Sequence, residues 1–374
     1  MQDQFTIACV IGTRPEAIKM APVVRALHAD SRFRCVVIAT AQHRGLLDQM
    51  LKRFGIEVDY DLDLMTEGQS PSELIARMLP ALDRVLSTEA PSAVLAQGDT
   101  TTVFGAAVAA YHRCISFGHV EAGLRTGDLY HPFPEEGYRQ MVARIARWHF
   151  APTSRAAAAL RREGIPAARI HVTGNTCIDM LLQTVSELEP SSHETGRMIL
   201  LTAHRRESFG APLQSIFRAV RRIVDRYADV NVVYPVHPNP NVRNPAFDLL
   251  AGHPRIALIE PVDYYQFVDL MRRSVLILTD SGGIQEEAPA LGKPVLVLRD
   301  TTERPEALQS GGAILVGTDC DNIEGAVMNL LNSPEAYASM TRSASPYGDG
   351  HAAERIVELL AAAAVHDAGA GTDE

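Results

Sequence analysis

Apolar positions in this chain alternate between two periods. Continuous, β-branched-rich runs at Phe5–Ile11, Phe33–Thr40, Ala93–Ala96 and Ile115–Val120 end in glycine or polar residues, as strands buried on both faces do. Between them apolar residues recur every three or four positions. Ala17, Met20/Ala21, Val24 and Leu27 form one such stripe, with Pro15 suited to an early helical position. Similar patterns lie around Leu46–Phe54, Leu74–Leu86 and Val103–Tyr111, and the alternation runs to about Thr173. The stretch Glu187–Gly196 is polar, proline-broken and aperiodic, which predicts a linker. A second alternation begins at Met198–Leu201, with strands expected at Asn231–Val236, Ile256–Ile259, Val275–Leu278, Val295–Leu298 and Ile314–Val316. The pattern predicts an α/β protein of two Rossmann-like parallel-sheet domains, residues 1–185 and 197–351, facing a central cleft. An alanine-rich helix from 352 to about 365 is expected to pack back on the first domain, with fraying from His366 onward.

Composition narrows the partners. With 374 residues, one hydrophobic core is too few. A net charge of −10 disfavours nucleic acid and anionic membranes, so an anionic ligand needs a local basic pocket. Five cysteines with no C-x-x-C pair read as reduced thiols of a cytoplasmic protein. The short apolar run Phe5–Ile11, with no Lys or Arg before it, reads as a first strand and not as a signal peptide, and no apolar run is long enough to span a bilayer. No G-x-G-x-x-G follows the first strand, and Gly98–Gly105 lacks the Lys-Ser/Thr of a P-loop. No H-E-x-x-H or Cys/His cluster occurs either, so neither a cofactor nor a metal is expected, and the lack of G-x-S-x-G weakens a hydrolase reading.

The richest stretch is Ile277–Glu287, ILTDSGGIQEE. Ser281, Gly282 and Gly283 sit where a buried strand turns into a helix. Such a turn is either a plain βα connection or a phosphate site built on free N–H groups and the helix dipole. Glu287, about one turn in, could accept two hydroxyls of a ribose. Basic residues follow other strands: Arg14 and Lys19; His204, Arg205 and Arg206; Arg304. Singly each reads as a solvated charge, but together they favour a diphosphate pocket. His237 also ends a strand and reads equally as a structural loop histidine. Carboxylates occupy the same kind of position at Asp99, Glu121 and Glu135-Glu136, where partial desolvation suits acid/base work. Asp99 reads alternatively as a helix N-cap and Glu136 as a first-turn charge; Glu121 has no such capping role.

Ten motifs in order then resemble one family. GTRPEAIKMAPV (Gly12–Val23), TAQHR (Thr40–Arg44), GDTTT (Gly98–Thr102), GHVEAGLRTGD (Gly118–Asp128) and FPEE (Phe133–Glu136) come first. TAHRRES (Thr202–Ser208), YPVHPNPNVR (Tyr234–Arg243), LTDSGGIQEEAP (Leu278–Pro289), RDTTERPEA (Arg299–Ala307) and PYGDG (Pro346–Gly350) follow. The chain resembles the non-hydrolysing UDP-N-acetylglucosamine 2-epimerases from Gly12 to about Ile356. The resemblance implies a glycosyltransferase-B-like fold and epimerisation at C2 by elimination of UDP to a 2-acetamidoglucal and re-addition. It implies that Ser281, Gly282, Gly283, Arg14 and Arg304 hold the diphosphate, that Glu287 binds ribose, and that Phe267 and the backbone near Val262 flank uracil. Lys19, Asp99, Glu121, Glu135 and His204 would face the sugar and leaving group. A second UDP-N-acetylglucosamine activates many members, and Gln42, His43, Glu135, Arg205 and His237 match that site. Gly45 and Gly68 depart from it. A homodimer supplying N-acetylmannosamine for bacterial surface polysaccharide is the further implication. A UDP-sugar-dependent glycosyltransferase of the same fold is the alternative enzyme, and a UDP-sugar sensor the non-enzymatic one.

Overall fold

The structure, a computed structural model, describes residues 4–40, 50–66, 68–189, 196–343 and 345–370. It divides into two compact units, residues 1–180 with 348–374, and residues 181–347.

The first unit holds a seven-stranded, wholly parallel sheet. Its strands are β1 (Phe5–Ile11), β2 (Phe33–Ala39), β3 (Tyr60–Asp61), β4 (Ala93–Gln97), β5 (Ser116–Val120), β6 (Trp148–Ala151) and β7 (Ile170–Val172). Their order is β3-β2-β1-β4-β5-β6-β7. The order reverses between β1 and β4, and the crevice outside the carboxyl ends of those strands is the usual ligand position in such sheets. One face is filled by Val10, Ile38, Val94, Leu82, Val103 and Phe117, all buried. The helix Arg14–Ala29 packs against the C-terminal helix Ala352–Ala370.

The second unit repeats the plan with six parallel strands. These are β8 (Arg197–Thr202), β9 (Val230–Pro235), β10 (Ile256–Ile259), β11 (Leu276–Thr279), β12 (Val295–Val297) and β13 (Ala313–Leu315), in the order β10-β9-β8-β11-β12-β13. Its reversal lies between β8 and β11. Leu201, Phe217, Val232, Leu278 and Leu296 anchor its core.

Elements agree with the hydrophobic pattern to within a residue or two at most ends. The C-terminal helix differs: it continues to Ala370, past His366, because alanine favours helix strongly and no proline interrupts it. Of the helix expected over Leu46–Phe54, residues 46–49 lie outside the described part and 50–53 are helical; six residues of the expected linker, 190–195, also lie outside it.

Candidate active site

In the first unit the chemistry collects at strand ends. After β1 the chain turns at Gly12, where a Cβ would lie 2.1 Å from Thr102 Oγ1 and 2.6 Å from Thr40 Oγ1. Only glycine fits there. Thr13 then caps the helix Arg14–Ala29 in a capping box with Glu16. Arg14 opens that helix and is exposed. Glu16 is buried and accepts the N–H groups of Gly12 (2.6 Å) and Thr13 (3.2 Å). Burial pushes its carboxyl up to about 7, against the opposing pull of Thr100 and those N–H groups.

One turn further along, Lys19 Nζ reaches Glu121 Oε1 at 2.5 Å. Glu121 follows β5 with φ at +64°, a left-handed backbone that non-glycine residues seldom adopt and that costs roughly 1–2 kcal/mol. Its carboxylate also accepts the side-chain amides of Gln97, on Oε2, and Asn175, on Oε1 at 2.8 Å. The donors come from the first helix, the end of β4 and the loop after β7, so three separate segments converge on this one group. His119, two residues earlier, is buried and donates from Nε2 to the Gly98 carbonyl at 2.7 Å. Burial drives its pKa down to about 3, so the ring is neutral and acts as a fixed donor.

Asp99, at the end of β4, does not cap the following helix. Thr100 does, accepting the Val103 N–H. The Asp99 carboxylate is paired with Arg139, Nε to Oδ2 at 2.8 Å. Arg139 also reaches Glu136, which accepts the Thr126 and Gly127 N–H groups and the Gln140 amide. Burial alone would raise the Glu136 carboxyl, but these donors outweigh it and hold it below the usual range. The adjacent glutamates therefore part company. Glu136 ties down the loop that precedes its helix, while Glu135 keeps a buried Oε2 without a hydrogen-bond partner among the described residues.

The second unit places basic groups at the corresponding crevice. Asp280, fully buried after β11, accepts the backbone N–H groups of His204 (2.7 Å) and Arg205 (2.8 Å) after β8. The His204 ring stacks on His237, with centroids 5.6 Å apart and planes 10° from parallel. Burial and the neighbouring His204 push the His237 pKa down. Ser281 is the N-cap residue of the helix Gly282–Ala290, but its side chain makes no capping bond. Around Gly282 stand Arg205, Arg304 and Glu303, within 3.4–4.0 Å of where a Cβ would be, whereas the space beside Gly283 is open. Arg205 pairs with Glu303 at 3.1 Å, and Arg304 pairs with the buried Glu286. Glu287 accepts the Tyr264 hydroxyl at 2.9 Å. Tyr264 opens the helix Tyr264–Arg273, which also carries the half-buried Phe267. The second unit thus gathers Ser281, Gly282, Gly283, Arg205 and Arg304 at one helix tip, with Glu287 bonded to Tyr264 on the helix that carries Phe267. Gln42 and His43 lie outside the described residues; Gly68 is described and exposed.

A family model for UDP-N-acetylglucosamine 2-epimerase matches residues 25–361. The chain belongs to the UDP-N-acetylglucosamine 2-epimerase family. These enzymes are isomerases. The chain is 51% identical over 367 residues to the UDP-N-acetylglucosamine 2-epimerase of Yersinia pestis, covering 95% of this chain and 98% of that one. It is 50% identical over 361 residues to the Bacillus subtilis enzyme, covering 96% and 95%. A crystal structure of the Neisseria meningitidis epimerase bound to UDP-GlcNAc superposes with a TM-score of 0.88 at 45% identity, covering 95% of this chain and 99% of that one. A glycosyltransferase of kitacinnamycin, 13% identical with a TM-score of 0.63, shares the fold alone. The two parallel-sheet units are those of the glycosyltransferase-B-like class. No helix among the described residues is long and apolar enough to cross a membrane.

Gln97, Asn175, Arg139, Asp280 and Tyr264 are site neighbours that the sequence reading did not single out. Gln97 and Asn175 each stand at or just past a strand end, the position that flagged the carboxylates. Applying that rule to amides as well as charges would have found both.

Proposed function

We propose that this chain interconverts UDP-N-acetylglucosamine and UDP-N-acetylmannosamine by eliminating UDP and adding it back. The observation that carries this reading is Glu121: a carboxylate on a left-handed backbone, gripped by Lys19, Gln97 and Asn175. Strain of that kind persists where a side chain must be aimed. Similarity to named epimerases at about half identity supports it.

The hydrogen at C2 is not beside a carbonyl, so direct removal is hard. Breaking the C1–O bond puts positive character on C1, and UDP leaves with the electron pair. The C2 hydrogen then becomes acidic, and a carboxylate takes it, giving a 2-acetamidoglucal. Return of a proton to the opposite face of C2, with UDP oxygen rebonding to C1, completes the epimerisation. Asp99, Glu121 and Glu135 supply the proton-transfer groups, with Lys19 and His204 beside sugar and leaving group. Ser281, Gly282, Gly283, Arg304 and Arg14 stabilise and retain the UDP anion. Glu287 takes the ribose hydroxyls, and Phe267 flanks uracil.

The enzyme works as a cytoplasmic homodimer whose product feeds surface polysaccharide. Arg205 and His237, with Gln42, His43 and Glu135, take a second UDP-N-acetylglucosamine as activator. Gly45 and Gly68 weaken that second site. Incubation with UDP-N-acetylglucosamine and no acceptor, followed by anomeric proton NMR, tests the activity. A second UDP-sugar is expected; free sugar with UDP, or unaltered substrate after long incubation, would overturn it.

A further inference from the structure

A carboxylate that exchanges a proton with a substrate must be aimed, and Asp99 meets a side chain that can aim it, Arg139. The helix Glu135–Ile145 begins with two glutamates and carries Arg139 three residues after Glu136, the spacing that sets two side chains on one helical face. Arg139 sits between two carboxylates, both within hydrogen-bond reach of one planar guanidinium. On one side is Glu136, with no solvent exposure and four sets of donors around it. That carboxylate is a fixed anion and gives the guanidinium a rigid seat. On the other side is Asp99, about a quarter exposed. Both of its contacts with Arg139 fall on Oδ2, and Oδ1 has no hydrogen bond among the described residues.

We propose that Arg139 is a positioning residue for the reaction: seated on Glu136, it pins one oxygen of Asp99 and leaves the other free to exchange a proton with the sugar. This rests on the reading of Asp99 as an acid/base group. The same helix carries Glu135, so one element fixes the orientation of one candidate carboxylate and bears another. The rival account is a plain structural ion pair tying this helix to the end of β4. Such a pair would matter to stability and not to turnover. A fork that fits both carboxylates at once is also something lysine reproduces poorly, because its ammonium is a point charge.

Four variants separate the accounts, with kcat, KM, UDP affinity and thermal midpoint measured for each. R139M is expected to lose roughly 100-fold in kcat, the scale of a misplaced catalytic group, with KM and UDP affinity within about threefold of the native chain. R139K should recover part of that loss. R139A should regain activity saturably with added guanidinium ion at non-denaturing concentration. E136Q, which keeps the volume but removes the seat's charge, should lower kcat in the same direction by less. A kcat for R139M within about threefold of native overturns the proposal. So does a loss in R139M and R139A that tracks thermal stability or UDP affinity and is not relieved by guanidinium. If R139M does not fold, E136Q decides: native kcat overturns the proposal, reduced kcat at native KM supports it. A native chain that makes no second UDP-sugar would overturn the proposed function itself. An active native chain with an indifferent R139M overturns only the role of Arg139.

Discussion

The two crevices of this protein share a topology and differ in chemistry. In each, the order of parallel strands reverses beside a strand that feeds a glycine-bearing turn and a helix. In the first unit that neighbourhood carries carboxylates and the groups that hold them: Glu121 with Lys19, Gln97 and Asn175, and Asp99 with Arg139. In the second it carries an uncapped helix tip flanked by Arg205 and Arg304. One plan of backbone thus carries two different sets of side chains at its strand ends. The glycines show the same split. Gly12 is required because Thr40 and Thr102 leave no room for a Cβ, while the space beside Gly283 is open.

The contrast can be broken by exchanging properties between the crevices. The largest effect is expected for Glu121→Gln, which should lower turnover by roughly 10²–10⁴-fold with UDP affinity little changed, as isothermal calorimetry would read. Lost UDP affinity in that variant would mean the division of labour is wrong. Next is Glu16→Gln. A carboxyl raised from 4.5 to about 7 keeps its proton longer in the folded state, so native stability falls as pH rises through that window, by about 3 kcal/mol at most. Glutamine cannot titrate, so denaturant unfolding at both ends of the window should show that fall in the native chain and not in the variant. Equal slopes would place the Glu16 titration elsewhere. Arg304→Ala should weaken UDP binding about 10–100-fold, on the scale of one charge-assisted hydrogen bond, while proton exchange at saturating sugar persists. The smallest effect is Tyr264→Phe, which removes one donor from Glu287 and should change UDP affinity by about tenfold or less.

Much of this was visible in the residue pattern, and what was hidden has physical reasons. Continuous apolar runs followed by glycine or polar residues locate strand ends directly, so the turns at Gly12, Gly98 and Ser281 could be placed from local sequence. Glu121 stood out because glutamate before Ala-Gly caps nothing; its left-handed φ is the structural counterpart. The two readings of Asp99 were indistinguishable locally, since threonine and aspartate both cap helices, and the structure gives the cap to Thr100. Glu135 and Glu136 are neighbours in sequence, yet about 100° of helical rotation separates them. That rotation turns one into the loop and leaves an oxygen of the other without a partner among the described residues. Asn175 lies 54 residues from Glu121, and Arg139 lies 40 from Asp99. Pairings that distant are set by how strands order in the sheet, which no local period encodes. The same holds for Asp280, whose neighbours in the chain say nothing of the two backbone N–H groups it receives after β8.

The most direct test of the central claim is deuterium incorporation at C2, followed by proton NMR, for the native chain and Glu121→Gln in heavy water with saturating UDP-N-acetylglucosamine. The native chain should place solvent deuterium at C2 of the newly formed epimer, and the variant should bind UDP normally while exchanging at least about 100-fold more slowly. Epimer formed without deuterium, or a variant exchanging at the native rate, would contradict it.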